Sequence, residues 1–309
     1  MAWAGTGMFG ERWEEEKQPS SHDFVLIFVC AFFFFPVVRF ILDRVFLQRL
    51  GQKFVLGHMK PLSPAETEAR QKKVTKFKEC GWKCIFHLSE LVLALAVTYN
   101  EPWFTDTKKF WVGPGDQVWP DLRIKKKLRW LYMYTGGFYT YSIFDLMFWE
   151  IRRSDYVVTM THHVVTVALI VFSYIAKFAR IGSMVLSLHA ASDVFLLIGK
   201  MTKYCGLELI PSLTLICFAV SWLLLRLIYY PFWIIWSTSY EVLQILDISK
   251  YEKEGPISYY IFNSLLISLL VMHIYWWVLV IRMVIRLIQA GGQVGDDVRS
   301  DEEDEDGED

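Results

Sequence analysis

Residues 156–200 read YVVTMTHHVVTVALIVFSYIAKFARIGSMVLSLHAASDVFLLIGK. Two apolar runs, 156–174 and 180–198, each near the length that crosses a bilayer, are joined by a connection too short for anything but a tight turn. The runs are not uniformly apolar. His162, His163, Arg180, His189, Ser192 and Asp193 interrupt them, and ionisable groups inside a span are costly enough to mark a cavity, a substrate path or an active site. This stretch therefore predicts a pair of membrane helices that enclose something polar.

Outward from this pair, five further runs have the same character: 24–47, 82–99, 128–149, 207–236 and 257–286. Seven spans make an all-α polytopic membrane protein with an intramembrane cavity. Pro36 and Pro231 give local causes for a bend in the first and sixth runs. The composition agrees, with 54% hydrophobic and 17% aromatic residues in 309, too apolar for disorder or for a soluble nucleic-acid binder. Residues 1–23 are polar and the first apolar run is long enough to span, so no cleavable signal peptide is expected. Five cysteines, Cys30, Cys80, Cys84, Cys205 and Cys217, are odd in number and read as buried hydrophobes rather than as disulfides.

Net charge is −1, but residues 296–309 hold ten acids and one arginine. That tail is expected to be disordered, and Ser300, followed by Asp301, Glu302 and Glu303, suits an acid-directed kinase. Seven crossings put the termini on opposite sides. The basic loop 49–78, together with Arg152, Arg153, Lys200 and Lys203, reads as cytosolic, which places the N-terminus in a lumen and the acidic tail in the cytosol. Arg123, Lys125, Lys126, Lys127 and Arg129 run against that assignment.

His189 and Asp193, four apart, share a helix face, whereas His162 and His163 point about 100° apart, so at most one of them aims straight at a substrate. A histidine near an acid in a low-dielectric cavity suits general-base or nucleophilic work. Histidine-box iron chemistry needs more than the seven histidines present and spacings that are absent; a single metal held by His162, His189, Asp193 and His273 is the remaining alternative, and no metal site is assigned. Arg226, with Tyr229 and Tyr230 beyond it, is read as facing a carboxylate or a phosphate; Asn263, His273 and Trp276 add polar groups to the last span.

The stretches His162-His163-Val-Val-Thr166, Arg180-Ile-Gly182, Leu186 to Lys200, Phe148 to Arg153, Arg226 to Trp233 and His273 to Trp277 resemble the Lag1 motif of ceramide synthases, in the TLC-domain superfamily. With Val298-Arg299-Ser300-Asp301 in the tail, the likeness is strongest to the plant branch, which includes proteins associated with mycotoxin resistance. The resemblance implies transfer of a fatty acyl group from acyl-CoA to a sphingoid base in the endoplasmic reticulum, with acyl-CoA as co-substrate and no permanently bound cofactor. It implies a luminal tail 1–23, a first helix and basic cytosolic loop 24–60, a TLC domain 61–290 with six more helices, and a cytosolic tail 291–309. It casts His162 as nucleophile, His163 as its essential neighbour and Asp193 as the acidic partner, with Arg180, His189, Ser192, Arg226, Tyr230, Asn263, His273 and Trp276 in substrate binding. It also implies homo- or heterodimers among synthases. The family pattern Leu-His-Asp-x-Ser-Asp has an acid where this chain has Ala190, and plant members usually carry Glu where it has Leu197. A non-catalytic relative that binds lipid and regulates active synthases is therefore the alternative.

Overall fold

The structure, a computed structural model, describes residues 16–17, 19–56, 63–113, 117–150, 153–246 and 254–291. The expectations for residues 1–15, Arg152 and the acidic tail with Ser300 lie outside these residues. Among the described residues, seven long helices follow one another: α1 His22–Leu56, α2 Pro64–Thr98, α3 Lys126–Phe148, α4 Tyr156–Ile175, α5 Ala179–Tyr204, α6 Leu209–Ile245 and α7 Glu254–Gln289. Six are long and apolar enough to cross a membrane. The exception is α3. Its 23 residues have the required length, but Thr135, Gly136, Gly137, Tyr139 and Ser142 dilute the hydropathy, and all five are buried. It is a helix that faces protein rather than lipid, packed against α1, α2, α4 and α5.

The helices outrun the apolar stretches that announce them. Capping boxes set two starts: Ser20 with Asp23 before α1, and Ser63 with Glu66 before α2, where Pro64 takes the first turn. Near the two prolines expected to bend their helices, the helices widen into π-type turns, at Cys30–Phe34 just before Pro36 and at Leu223–Ile235 around Pro231. The core is aromatic, with Phe35, Trp82, Phe86, Phe138 and Tyr141 packed ring to ring. The outer face is apolar as well: Phe33, Phe40, Val92, Leu213 and Val271 are exposed, as a surface meant for lipid must be. Gly182 lets α5 close on α3. A Cβ there would stand 1.8 Å from the Tyr132 hydroxyl, which itself meets Ser173 Oγ at 3.1 Å.

One end of the bundle is capped by the α2–α3 connection. Trp103, Phe110, Trp111, Trp119 and Leu122 are buried in it. Trp111 Nε1 donates to Ser237 Oγ at 3.1 Å, and Trp119 Nε1 donates to the Ala176 carbonyl at 2.8 Å. A two-residue antiparallel pair, β1 Glu16–Lys17 with β2 Ile124–Lys125, ties the N-terminal segment to the same end. Of the five basic residues that ran against the orientation, three are paired here: Lys125 and Lys127 with Glu101, and Arg129 with the fully buried Asp23.

Candidate active site

At the opposite end a cavity of about 1300 Å³, including its mouth, opens among α2 to α7. Its mouth is charged, with Lys83, Glu150, Arg153 and Lys200 on the wall; its depth carries His87, His162, His163, Asp193, Arg226 and Trp276. A second, apolar pocket of about 450 Å³ lies beyond, lined by Leu169, Ile170, Leu186, Phe262, Leu266 and Leu269. His162 and Tyr139 border both spaces. His162 thus stands at the junction of a polar chamber and a greasy one.

The histidine pair sits one turn into α4, behind Asp155. Asp155 is buried and accepts from Trp276 Nε1 at 3.0 Å, and the Trp276 ring meets His162 edge-on at 5.1 Å. Trp276 is thereby a positioning residue for His162. The Nδ1 atoms of both His162 and His163 are buried without a hydrogen bond. Both rings line the polar cavity, with centroids 5.6 Å apart. Only His162 reaches the apolar pocket as well.

Asp193 is held by Arg226, Nη2 to Oδ1 at 2.8 Å. Of the two partners open to Arg226 from sequence, the carboxylate is the one present. The same guanidinium donates to the His189 carbonyl at 2.7 Å and lies over the Trp222 ring at 4.0 Å. The acid expected beside the histidines is thus engaged by a cation, and among the described residues no hydrogen bond joins it to an imidazole. His189 does share the face of Asp193, but it points away from the polar cavity: Nε2 meets His273 Nε2 at 2.8 Å and Nδ1 meets the Val185 carbonyl at 2.6 Å. Tyr230 packs edge-on against both rings and donates to the Leu266 carbonyl at 2.9 Å.

Three residues expected in substrate binding are structural in their placement. Arg180 donates to the Lys109 and Val112 carbonyls and lies over Trp103 in the cap, at the far end of α5. Asn263 accepts from Thr238 and donates to its carbonyl, tying α7 to α6. Ser192 Oγ donates back to the His189 carbonyl at 3.4 Å and is wholly buried. Ala190 is also wholly buried, and Leu197 lines the cavity.

Sequence reading missed the mouth. Lys83 on α2 donates to Glu150 and sits 3.6 Å from Glu79, to which Arg153 donates at 3.2 Å. Burial alone would raise the Glu150 pKa, yet the Lys83 ammonium and then Arg153 lower it to about 2. A lysine inside an apolar run was the available signal, and it needed a partner some seventy residues away to make sense of it. Among the described residues no group of three His, Cys, Asp or Glu is placed to hold a metal.

The arrangement can do acyl-transfer chemistry. An imidazole free of a carboxylate is a neutral nucleophile, the polar chamber admits a charged carrier, and the apolar pocket admits a chain.

Comparison with known proteins agrees with this geometry. The TLC-domain profile matches residues 76–282. An ASC1-like protein of Solanum lycopersicum is 60% identical over 95% of this chain and 96% of its own length. Ceramide synthase 1 LOH3 of Arabidopsis thaliana is 56% identical over 95% of each, and human ceramide synthase 4 is 34% identical over 77% of this chain and 57% of its own. With the matched region spanning α2 to α7 and the relatives covering the chain almost end to end, the protein belongs to the TLC-domain family.

Proposed function

We propose that this chain is a ceramide synthase, a sphingoid-base N-acyltransferase that uses fatty acyl-CoA. The observation that carries the reading is His162 at the junction of the two spaces. A thioester carbonyl presented there is attacked by an imidazole nitrogen; the C–S bond breaks, and the CoA sulfur leaves with the proton that the imidazole gives up. The sphingoid amine then attacks the acyl-imidazole, an amide forms, and the ring nitrogen recovers a proton from the amine. Exclusion of water by the aromatic walls protects the acyl group between the two steps. Lys83, Arg153 and Lys200 give the mouth a basic rim suited to the CoA phosphates. That rim belongs in the cytosol of an endoplasmic reticulum membrane, with the N-terminus luminal and the C-terminus cytosolic. Phosphorylation at Ser300 and dimerisation with other synthases complete the proposal.

The test is acyl transfer by purified protein offered sphinganine and a panel of acyl-CoA lengths, beside His162→Ala. Ceramide that vanishes in the variant supports the reading. A wild-type protein that binds acyl-CoA yet makes no more ceramide than the variant overturns it.

A second reading, a regulatory relative, is favoured by the methyl group buried at Ala190 and by the engagement of Asp193 with Arg226. In that case the wild type is inactive, and Ala190→Asp with Leu197→Glu creates activity. An active wild type removes this reading.

A further inference from the structure

His87 and Glu90 lie three apart on one face of α2. Glu90 is completely buried; its Oε2 meets His87 Nδ1 at 3.2 Å, and its Oε1 has no hydrogen bond. His87 keeps 13% of its side chain exposed, and it lines the same cavity as His162 and His163. α2 packs along α5, with the site of Gly81 abutting Met201. Asp193 and Arg226 are within electrostatic reach of Glu90. In a chain with alanine at 190, a fully buried carboxyl group comes to this cluster from the neighbouring helix.

A carboxylate on Nδ1 fixes the tautomer of an imidazole, leaves the Nε2 lone pair free to take a proton and stabilises the cation that results. His162 and His163 have no such support, so the cavity holds two kinds of imidazole: an unbacked pair and a backed single ring. The acyl-acceptor amine arrives as an ammonium and must lose a proton before it can attack.

We propose that His87, oriented by Glu90, is the proton acceptor of the amine half-reaction. This rests on the N-acyltransferase reading. The ammonium transfers one proton to His87 Nε2; the neutral amine forms its C–N bond as the acyl–imidazole bond of His162 breaks; the second amine proton goes to the released ring. His87 then returns its proton to solvent through the mouth. The charged and titratable groups around it are Lys83 and Glu90 on its own helix and, lining the same cavity, Asp145 on α3, Glu150, Arg153 and Asp155 at the α3–α4 connection, His162 and His163 on α4, Asp193 and Lys200 on α5, and Arg226 on α6.

The experiment separates the half-reactions in full-length protein with radiolabelled acyl-CoA. Acylation of the enzyme is measured without amine, and transfer to sphinganine afterwards. For His87→Gln we expect acylation unchanged and transfer slowed about 100-fold near neutral pH, with the deficit shrinking as rising pH supplies neutral amine. Glu90→Gln, which preserves shape, gives a smaller loss of about 10-fold with the same pH dependence. Transfer at the wild-type rate in both variants overturns the proposal. So does an equal loss of both half-reactions that no pH restores, which is the mark of a structural role. A wild type that never acylates overturns instead the reading on which the proposal rests.

Discussion

The two ends of the bundle handle buried charge in opposite ways. At the capped end the buried charged groups are paired: Asp23 with Arg129 and Tyr174, Glu101 with Lys125 and Lys127, Arg180 with two backbone carbonyls. At the cavity end His162, His163 and His273 each leave Nδ1 without a partner, Arg226 leaves Nε, and Glu90 leaves an oxygen. The capped end also leaves Trp103 Nε1, Gln117 Oε1 and Asp23 Oδ1 without a hydrogen bond, but no imidazole or guanidinium nitrogen. An unpaired buried polar atom costs about 1–3 kcal/mol, so the imidazole and guanidinium nitrogens left unbonded at the other end mark where stability has been given up for chemistry.

The hardest test of that contrast is His162→Ala, which should lower acyl transfer by about 10³-fold or more while leaving thermal stability in detergent almost unchanged. Loss of stability instead would make His162 a packing residue. Next is Arg226→Met, which leaves Asp193 and the His189 carbonyl without their cation and should cost about 3–5 kcal/mol in unfolding experiments. Adding Asp193→Leu should recover much of the stability and none of the activity. In the packed half, Gly182→Ala drives a methyl into the Tyr132 hydroxyl and should cost about 3 kcal/mol. Tyr132→Phe in the same chain should relieve part of that cost, and no relief would place the strain elsewhere.

The smallest effect belongs to the mouth. Because the folded-state pKa of Glu150 is depressed, the stability it contributes is complete above the ordinary glutamate value of about 4.3 and is lost as pH falls toward about 2. Glu150→Gln should therefore be less stable than wild type by about 2 kcal/mol at neutral pH, and the difference should close below pH 4. A gap that persists unchanged at pH 3 would mean that the amide loses packing rather than charge.

Much of the fold was legible. The run 156–174 corresponds to Tyr156–Ile175 almost residue for residue, and 180–198 starts with Ala179–Tyr204 but stops short of its end, where Lys200 and Lys203 make the last turns polar. The run 82–99 reports only the second half of Pro64–Thr98, because a helix leaving the bilayer keeps its hydrogen bonds while its side chains turn polar. His162, His163, Asp193 and Trp276 were found through their motif, and they do share a cavity. Lys83, His87, Glu90 and Glu150 were not read as a site: the first three lie inside the run 82–99 and carry the intramembrane signal, but what it serves depends on partners on other helices that the local sequence does not show. Arg180 and Asn263 carried the same intramembrane signal as the site residues, and they spend it on tying elements together.

The pairing of α1 has a consequence for how the chain is made. In Asp23 and Arg39 the first helix carries an acid and a guanidinium, and their partners Tyr174, Tyr141 and Asp145 lie 151, 102 and 106 residues downstream. A charge at the centre of a lone membrane helix costs about 2.5–3.5 kcal/mol on insertion scales. While the ribosome is still translating α2, neither Arg39, inside the helix, nor Asp23, in its first turn, has its folded-state partner. Order of synthesis therefore favours keeping α1 beside the insertion machinery until α3 and α4 emerge, so that the earliest helix is among the last to be released into lipid.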